Sequence, residues 1–329
     1  MILQIFLMII GFLLLIKGAD LLVQGGSNIA KRFHIPEIVI GLTIVSIGTS
    51  MPELMVSLTS ALQGHSDISI GNVVGSNIAN LLLILGTCAI IKNLKFKKET
   101  KLIENPIAII LTIILFILAN NAFGGQANTI TGAEGIILLI LCIGFIIYNI
   151  IMAKKGEEFD GISTELVIIN IEINSTRYLV KSILFVIIGI VFLKFGGDFV
   201  VNSASELARM FGMSEKLISL TIISVATSLP ELVTSIVATK KGEIDLAIGN
   251  VIGSCIFNII LIIGVSALIA PIQYSLNYNK DLIILIGATV LLALFPFIGK
   301  KDEMTKANRI IYVLCYITYT ANLIMTNLN

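Results

Sequence analysis

Charge, histidine and cysteine are all scarce in this sequence: 13% of its 329 residues are charged, and there are two histidines and four cysteines. A soluble domain usually carries about 25% charged residues. Here 56% of residues are hydrophobic and the mean hydropathy is +1.00, which excludes an ordinary soluble domain and makes the lipid bilayer the chain's principal partner. Cys88, Cys142, Cys255 and Cys315 lie in apolar runs without CxxC spacing, and His34 and His65 lie near loops. That pattern excludes a disulfide scaffold and a zinc site. Basic residues occur in loops with no aromatic interleaving, so no nucleic-acid partner is expected. No feature names a cofactor or a protein partner.

What the chain has instead is a series of apolar runs of 17 or more residues, each broken by a short polar stretch. Such runs mark helical spans, whereas barrel strands would alternate with period two. Ten are counted, near 2–30, 36–62, 67–91, 105–122, 129–152, 178–207, 214–239, 243–270, 280–298 and 308–326. The first lacks a basic leader, is too long for a signal-peptide core and carries Lys17 and Asp20, so it is read as a retained span. Net charge is +1, but alternate loops hold 17 basic residues on one side and three on the other. Basic loops stay cytoplasmic, which places both termini outside the cytoplasm of a multi-pass cell-membrane protein.

The sequence repeats itself at a constant offset of 178 residues: TIVSIGTSMPEL around Glu53 returns as TIISVATSLPEL around Glu231, and IGNVVGSNIAN around Asn80 as IGNVIGSCIFN around Asn258. About half of the aligned pairs between 41–86 and 219–264 are identical. Five spans per repeat make the second copy enter the membrane from the opposite side, giving inverted repeats over 1–152 and 178–329 joined by a polar linker at 153–177. Inverted repeats with interrupted helices place a binding site near the midplane. The expected fold is thus an all-α membrane protein with ten transmembrane helices in two inverted five-helix repeats, with broken helices at the midplane.

Glu53 and Glu231 fall at the centre of spans, where a charged group costs about 3 kcal/mol or more and needs compensation. Pro52 and Pro230 lack an amide proton and clash with the carbonyls of Gly48 and Ala226, so each helix should kink or break. The break frees carbonyls near Ser46 to Thr49 and near Ser224 to Thr227, which a cation can satisfy. Hydroxyls at Thr49, Ser50, Thr227 and Ser228 add neutral oxygens. Ser76 with Asn80, and Ser254 with Asn258, stand at i and i+4 and share a helix face. Carboxylates, carbonyls and neutral oxygens together suit Ca²⁺, and Na⁺ can use the same atoms. Two carboxylates are balanced by one Ca²⁺ or by two or more monovalent ions, so the ions should compete.

Other features have simpler readings. The GxxxG patterns in GNVVG and GNVIG point to close helix approach, Asn72 and Asn250 to interhelical hydrogen bonding, and Asp20 and Asp198 to local pairing with Lys17 and Lys194.

The paired motifs GTSMPE with GNVVGSNIAN, and ATSLPE with GNVIGSCIFN, resemble the two alpha-repeats of the cation/calcium exchanger superfamily, specifically its sodium/calcium exchanger branch with the compact prokaryotic antiporters. The resemblance spans nearly the whole chain. It implies Na⁺/Ca²⁺ antiport by alternating access, with the first and sixth helices moving against the core. It also implies a ligand set of Thr49, Ser50, Glu53, Ser76, Asn80, Thr227, Ser228, Glu231, Ser254 and Asn258, with carbonyls of Ser46 and Ser224. Some members, among them potassium-dependent exchangers, carry aspartate where this chain has Asn258, and the long cytoplasmic regulatory insert of larger relatives is missing. The GNAxE-like motif typical of the proton-coupled branch is absent. Proton- or K⁺-coupled antiport and a cation channel remain as alternatives. An enzyme is not expected, since no histidine lies within a span to activate a serine.

Overall fold

The computed structural model describes residues 1–63, 67–120, 128–156, 175–212, 227–297, 303–304 and 306–328. Among the described residues eleven helices organise the fold: α1 (Ile2–Phe33), α2 (Glu37–Thr49), α3 (Met51–Leu62), α4 (Ile68–Ile91), α5 (Thr100–Ala119), α6 (Gly132–Lys154), α7 (Thr176–Met210), α8 (Leu229–Lys241), α9 (Ile244–Ile269), α10 (Leu276–Leu294) and α11 (Lys306–Leu328). Seven of these are individually long and apolar enough to cross a membrane, and α2 with α3, bent by 46°, makes an eighth as one broken span. The protein is a mostly helical, multi-pass membrane protein. The remaining two expected spans are near 214–239 and 308–326. The first begins in residues outside the described set, with α8 as its 13-residue remainder; the second coincides with α11, 23 residues long but with a more polar composition. The linker residues 157–174 and the candidate ligand Ser224 also lie outside the described residues.

Burial ranks the helices by position. In α4 and α9 the most apolar windows are 72% and 78% buried, against 22% in α1 and α6. The two helices that carry the GN…S…N motifs are therefore the centre of the bundle. They carry several of the largest fully buried side chains, including Phe257, Ile70, Ile78, Leu81 and Ile84.

Glycines let neighbouring backbones touch. Along α1, Gly11, Gly18 and Gly25 recur every seven residues on one face, and a Cβ at Gly18 would meet Leu193 N at 2.8 Å while one at Gly25 would meet Ser182 O at 2.7 Å. The α1 and α7 chains thus run antiparallel in backbone contact, the small-residue packing expected in lipid. The same holds where α9 meets α2: Gly249 faces Ile38 O, and Gly253 faces Leu42 and the Ser46 hydroxyl. The expected role of the second GxxxG pattern is thereby found, and it fixes α9 against the broken helix.

The two ends of the bundle are chemically distinct. At one, the loop after α4 pairs with the segment before α11 through a Lys95–Glu303 bridge and Met304 N donating to Leu94 O. Lys97 pairs with Asp245 at 2.7 Å and Lys31 with Glu243 at 3.7 Å. At the other, a two-stranded antiparallel ribbon joins β1 (Thr129–Ile130) to β2 (Ile272–Gln273). There the Asn120 and Asn279 amides bond reciprocally at 2.8 and 2.9 Å. The loops expected to share a side of the membrane are the loops that touch.

Candidate cation site

Four π-helical turns interrupt the described helices, at Gly41–Val45, Ala79–Ile84, Thr100–Glu104 and Asn258–Ile263. π-Turns are rare and concentrate at functional sites. Two of them open on the site asparagines: Asn80 is the second residue of one and Asn258 the first of the other. The turn from Ser254 to Asn258 keeps α-helical register, with Asn258 N donating to Ser254 O, and the widened turn follows the asparagine.

The proline breaks are compact. Ser50 adopts φ −82°, ψ 8° between α2 and α3, and Ser228 adopts φ −86°, ψ 5° ahead of α8. Pro52 and Pro230 then sit in the first turn of the following helix, where their missing N–H costs nothing. At the first break this narrows the expected run of free carbonyls at Ser46; residues 224–226 of the second lie outside the described residues. The Ser46 carbonyl already accepts from Ser50 N at 3.0 Å and from the Thr49 hydroxyl at 3.3 Å. The carbonyl that Pro52 cannot satisfy is that of Gly48.

Both carboxylates are wholly buried, as are Ser46, Thr49, Ser254 and Asn258, while Ser50, Ser76, Asn80 and Ser228 are at most 4% exposed. Thr227 is half-buried. The two repeats lock into each other: Ser50 Oγ donates to Glu231 Oε1 at 2.9 Å, and the equivalent Ser228 Oγ to Glu53 Oε1 at 3.5 Å. Ser76 Oγ lies 3.4 Å from the same Glu53 oxygen. The second carboxylate oxygens, Glu53 Oε2 and Glu231 Oε2, have no hydrogen-bond partner among the described residues, nor do Asn258 Oδ1, Ser254 Oγ, Thr227 Oγ1 or either polar atom of the Asn80 side chain. Among those residues no Lys or Arg pairs with Glu53 or Glu231. Nor do three His, Cys, Asp or Glu side chains come together. The charge is therefore two carboxylates in a shell of neutral oxygens.

Asparagines brace this shell. Asn72 Nδ2 donates to Glu53 O and to Ser57 Oγ, both at 3.0 Å, tying α4 to α3. Its repeat equivalent, Asn250, donates to Ser235 Oγ at 2.9 Å and accepts from Thr49 Oγ1 at 3.0 Å, tying α9 to α8 and α2. The reading of both as interhelical bonding is met. Sequence reasoning passed over Asn77, which donates to Cys255 O and accepts from Asn258 Nδ2. The available signal was that 77 and 255 are one of three places where the two motifs differ, and the only one where an amide, Asn, is exchanged, here for Cys.

A cavity of about 170 Å³ lies between α7 and the two breaks, lined by Pro52, Pro230, Thr227, Lys194, Asp198 and Asn202; of the candidate ligands Thr227 alone borders it. Asp198 pairs with Lys194 at 3.1 Å and Asp20 with Lys17 at 3.2 Å, as their spacing predicts. Asp20 also meets Lys241 at 2.5 Å, a contact between α1 and α8 that spacing could not reveal.

Comparison with known proteins agrees over nearly the whole chain. The family model "Sodium/calcium exchanger protein" matches residues 3–151 and 181–325. The putative antiporter CaxA of Alkalimonas amylolytica is 35% identical, the alignment covering 94% of this chain and 95% of that protein. The sodium/calcium exchanger MaX1 of Methanosarcina acetivorans is 29% identical over 95% of this chain and 96% of its own. Among solved structures, the sodium-calcium exchanger NCX_Mj soaked with 2.5 mM Na⁺ and 0.1 mM Ca²⁺ superposes with a TM-score of 0.80 at 29% identity, over 98% of both chains. With its paired carboxylates, braced breaks and end-to-end match, the chain belongs to the sodium/calcium exchanger family.

Proposed function

We propose that the protein is a secondary antiporter that exchanges Na⁺ for Ca²⁺ at the Glu53–Glu231 site by alternating access. The observation that carries this reading is the pair of fully buried carboxylates, each hydrogen-bonded by a serine of the other repeat and surrounded by oxygens without protein partners. Two negative charges in such a shell match one Ca²⁺, which takes six to eight oxygens at about 2.3–2.6 Å. Two or more Na⁺ match the same charge, and both sets cannot be held at once. Mutual exclusion of this kind is what couples the opposing movements. A buried, paired site behind a broken-helix gate also favours exchange over a continuous pore.

The ligands are assigned to Glu53, Glu231, Thr49, Ser50, Thr227, Ser228, Ser76, Ser254, Asn80 and Asn258. The carbonyls of Ser46 and Ser224 are further candidates, with Ser46 the weaker for already accepting two hydrogen bonds. The chain is read as ten spans in two inverted repeats, 1–152 and 178–329, around a cytoplasmic linker at 153–177. Both termini lie outside the cytoplasm of the cell membrane, on the strength of the basic loops. Backbone contact between α1 and α7 makes these two helices a paired unit able to slide against the α4–α9 core.

The test is Ca²⁺ uptake into proteoliposomes loaded with Na⁺, with the membrane potential clamped. Uptake that follows the Na⁺ gradient, saturates with Ca²⁺ and persists without K⁺ or a pH gradient supports the reading. Non-saturating flux independent of Na⁺ would identify a channel, and uptake driven only by a pH gradient a proton-coupled antiporter.

A further inference from the structure

We propose that Asn77 is a positioning residue that fixes which end of the Asn258 amide faces the cations; this rests on the site assignment above. An asparagine amide is a donor at one end and an acceptor at the other, and only the acceptor is useful to a cation. Something must choose the orientation, and here the choice can be followed back to a main-chain carbonyl. The Cys255 carbonyl can only accept, so the group of Asn77 that lies 3.0 Å from it must be Nδ2. That leaves Asn77 Oδ1 pointing to Asn258, at 2.9 Å. An acceptor there requires a donor, so Asn258 presents Nδ2 to Asn77 and its Oδ1 away from Asn77. Asn258 Oδ1 is one of the partnerless oxygens of the site. The polarity of one peptide group is thus relayed through two amides to the cation shell.

Burial makes the relay strict: Asn77 and Asn258 are both wholly buried, so no solvent can satisfy a flipped amide. The contact is also mutual, since Cys255 Sγ donates to Asn77 O at 3.9 Å, joining α4 to α9 at positions 178 residues apart. The repeat offset makes Asn80 the equivalent of Asn258 and Cys255 the equivalent of Asn77. A thiol is only a weak donor and a weak acceptor, so Cys255, which stands beside Asn80, holds that amide less strictly than Asn77 holds Asn258. The two halves of the site are therefore unequal: Asn258 is held by an amide whose polarity is fixed, whereas Asn80 has only the Cys255 thiol beside it among the described residues.

The experiment uses the full chain in proteoliposomes and measures KM for Ca²⁺ and kcat for Asn77→Cys, Asn258→Ala and the double variant, with thermal unfolding recorded for each. Asn77→Cys removes the acceptor for Asn258 Nδ2 and should raise the Ca²⁺ KM about tenfold, the usual consequence of orphaning one buried donor, with kcat within about twofold. The double variant should be no worse than Asn258→Ala alone, because the relay then has nothing to hold. Should Asn77→Cys fail to fold, the exchanged pair Asn77→Cys with Cys255→Asn carries the same test. It keeps both groups and transfers the lock to Asn80, so Asn80→Ala should cost more in that background than in the wild type. An unchanged KM in Asn77→Cys, or fully additive effects with Asn258→Ala, would overturn the relay. If Asn258→Ala itself leaves the KM unchanged, the relay falls together with the assignment of Asn258 as a ligand. Loss of Na⁺ coupling in the wild type would instead strike the exchange reading while leaving the Ca²⁺ KM comparison intact.

Discussion

Replacing Glu231 by glutamine removes one of the two charges of the site while keeping the shape and one acceptor oxygen. Glu231 is fully buried, takes the Ser50 hydroxyl at 2.9 Å and has no basic partner among the described residues. In the proposed exchange site its charge is balanced by bound cations. Breaking a buried charge pair by removing one partner costs about 3–5 kcal/mol. At about 1.4 kcal/mol per decade, this is a loss of roughly 100-fold to several thousand-fold in Ca²⁺ affinity. Electrostatic energy scales with the charge of the ion, so Na⁺ should lose about half as much, roughly 10- to 60-fold. The assay is equilibrium binding of each ion to purified wild type and variant, with thermal unfolding as the control for folding. Glu53→Gln should behave in the same way. Equal losses for Na⁺ and Ca²⁺, or wild-type Ca²⁺ affinity in folded Glu231→Gln, would refute the assignment of the cation charge to this carboxylate.

Other substitutions grade the site. Ser50→Ala deletes the 2.9 Å bond to Glu231 and should raise the Ca²⁺ KM about 10- to 100-fold, as loss of a hydrogen bond to a charged group costs about 1.5–3 kcal/mol. Ser228→Ala, whose bond is 3.5 Å, should cost less. Asp20→Asn breaks pairs whose side chains are about one-third exposed or more, so unfolding should shift by no more than about 1 kcal/mol and exchange should persist. Gly18→Ala sets a methyl 2.8 Å from Leu193 N and should destabilise the protein by about 1–3 kcal/mol, read as a lower unfolding temperature in detergent. Cysteines at Lys98 and Asn277, in a cysteine-free background, should react with impermeant reagent from opposite sides of the membrane; reaction of both from one side would overturn the topology.

How far the sequence alone reached can be judged at particular residues. The burial of Glu53 and Glu231 was legible because a carboxylate inside an apolar run is costly, and the candidate ligands around them because the motif recurs at a fixed offset. Local pairing of Asp20 and Asp198 followed from helical spacing. The cross-repeat bonds from Ser50 to Glu231 and from Ser228 to Glu53 did not follow, since contacts 181 and 175 residues apart depend on how the repeats interleave. Proline chemistry announced a break at Pro52 but not its form: placing the proline in the first turn of α3 leaves a single non-helical residue where a run of open carbonyls was expected. The spacing of Gly11, Gly18 and Gly25 on α1 acquires its meaning only with α7 alongside it. Asn77 stayed hidden because an amide's role depends on which end faces which partner, and only the Cys255 carbonyl decides that.

The central claim is that Na⁺ and Ca²⁺ neutralise the same two carboxylates and so exclude each other. Its most direct test is the Ca²⁺ affinity of the purified wild-type protein measured across a series of Na⁺ concentrations at constant ionic strength. Two buried charges require at least two Na⁺ to replace one Ca²⁺. The apparent Kd for Ca²⁺ should therefore climb at least as steeply as the second power of Na⁺ concentration once Na⁺ saturates the site. A Ca²⁺ affinity that does not change with Na⁺ would contradict the shared site outright.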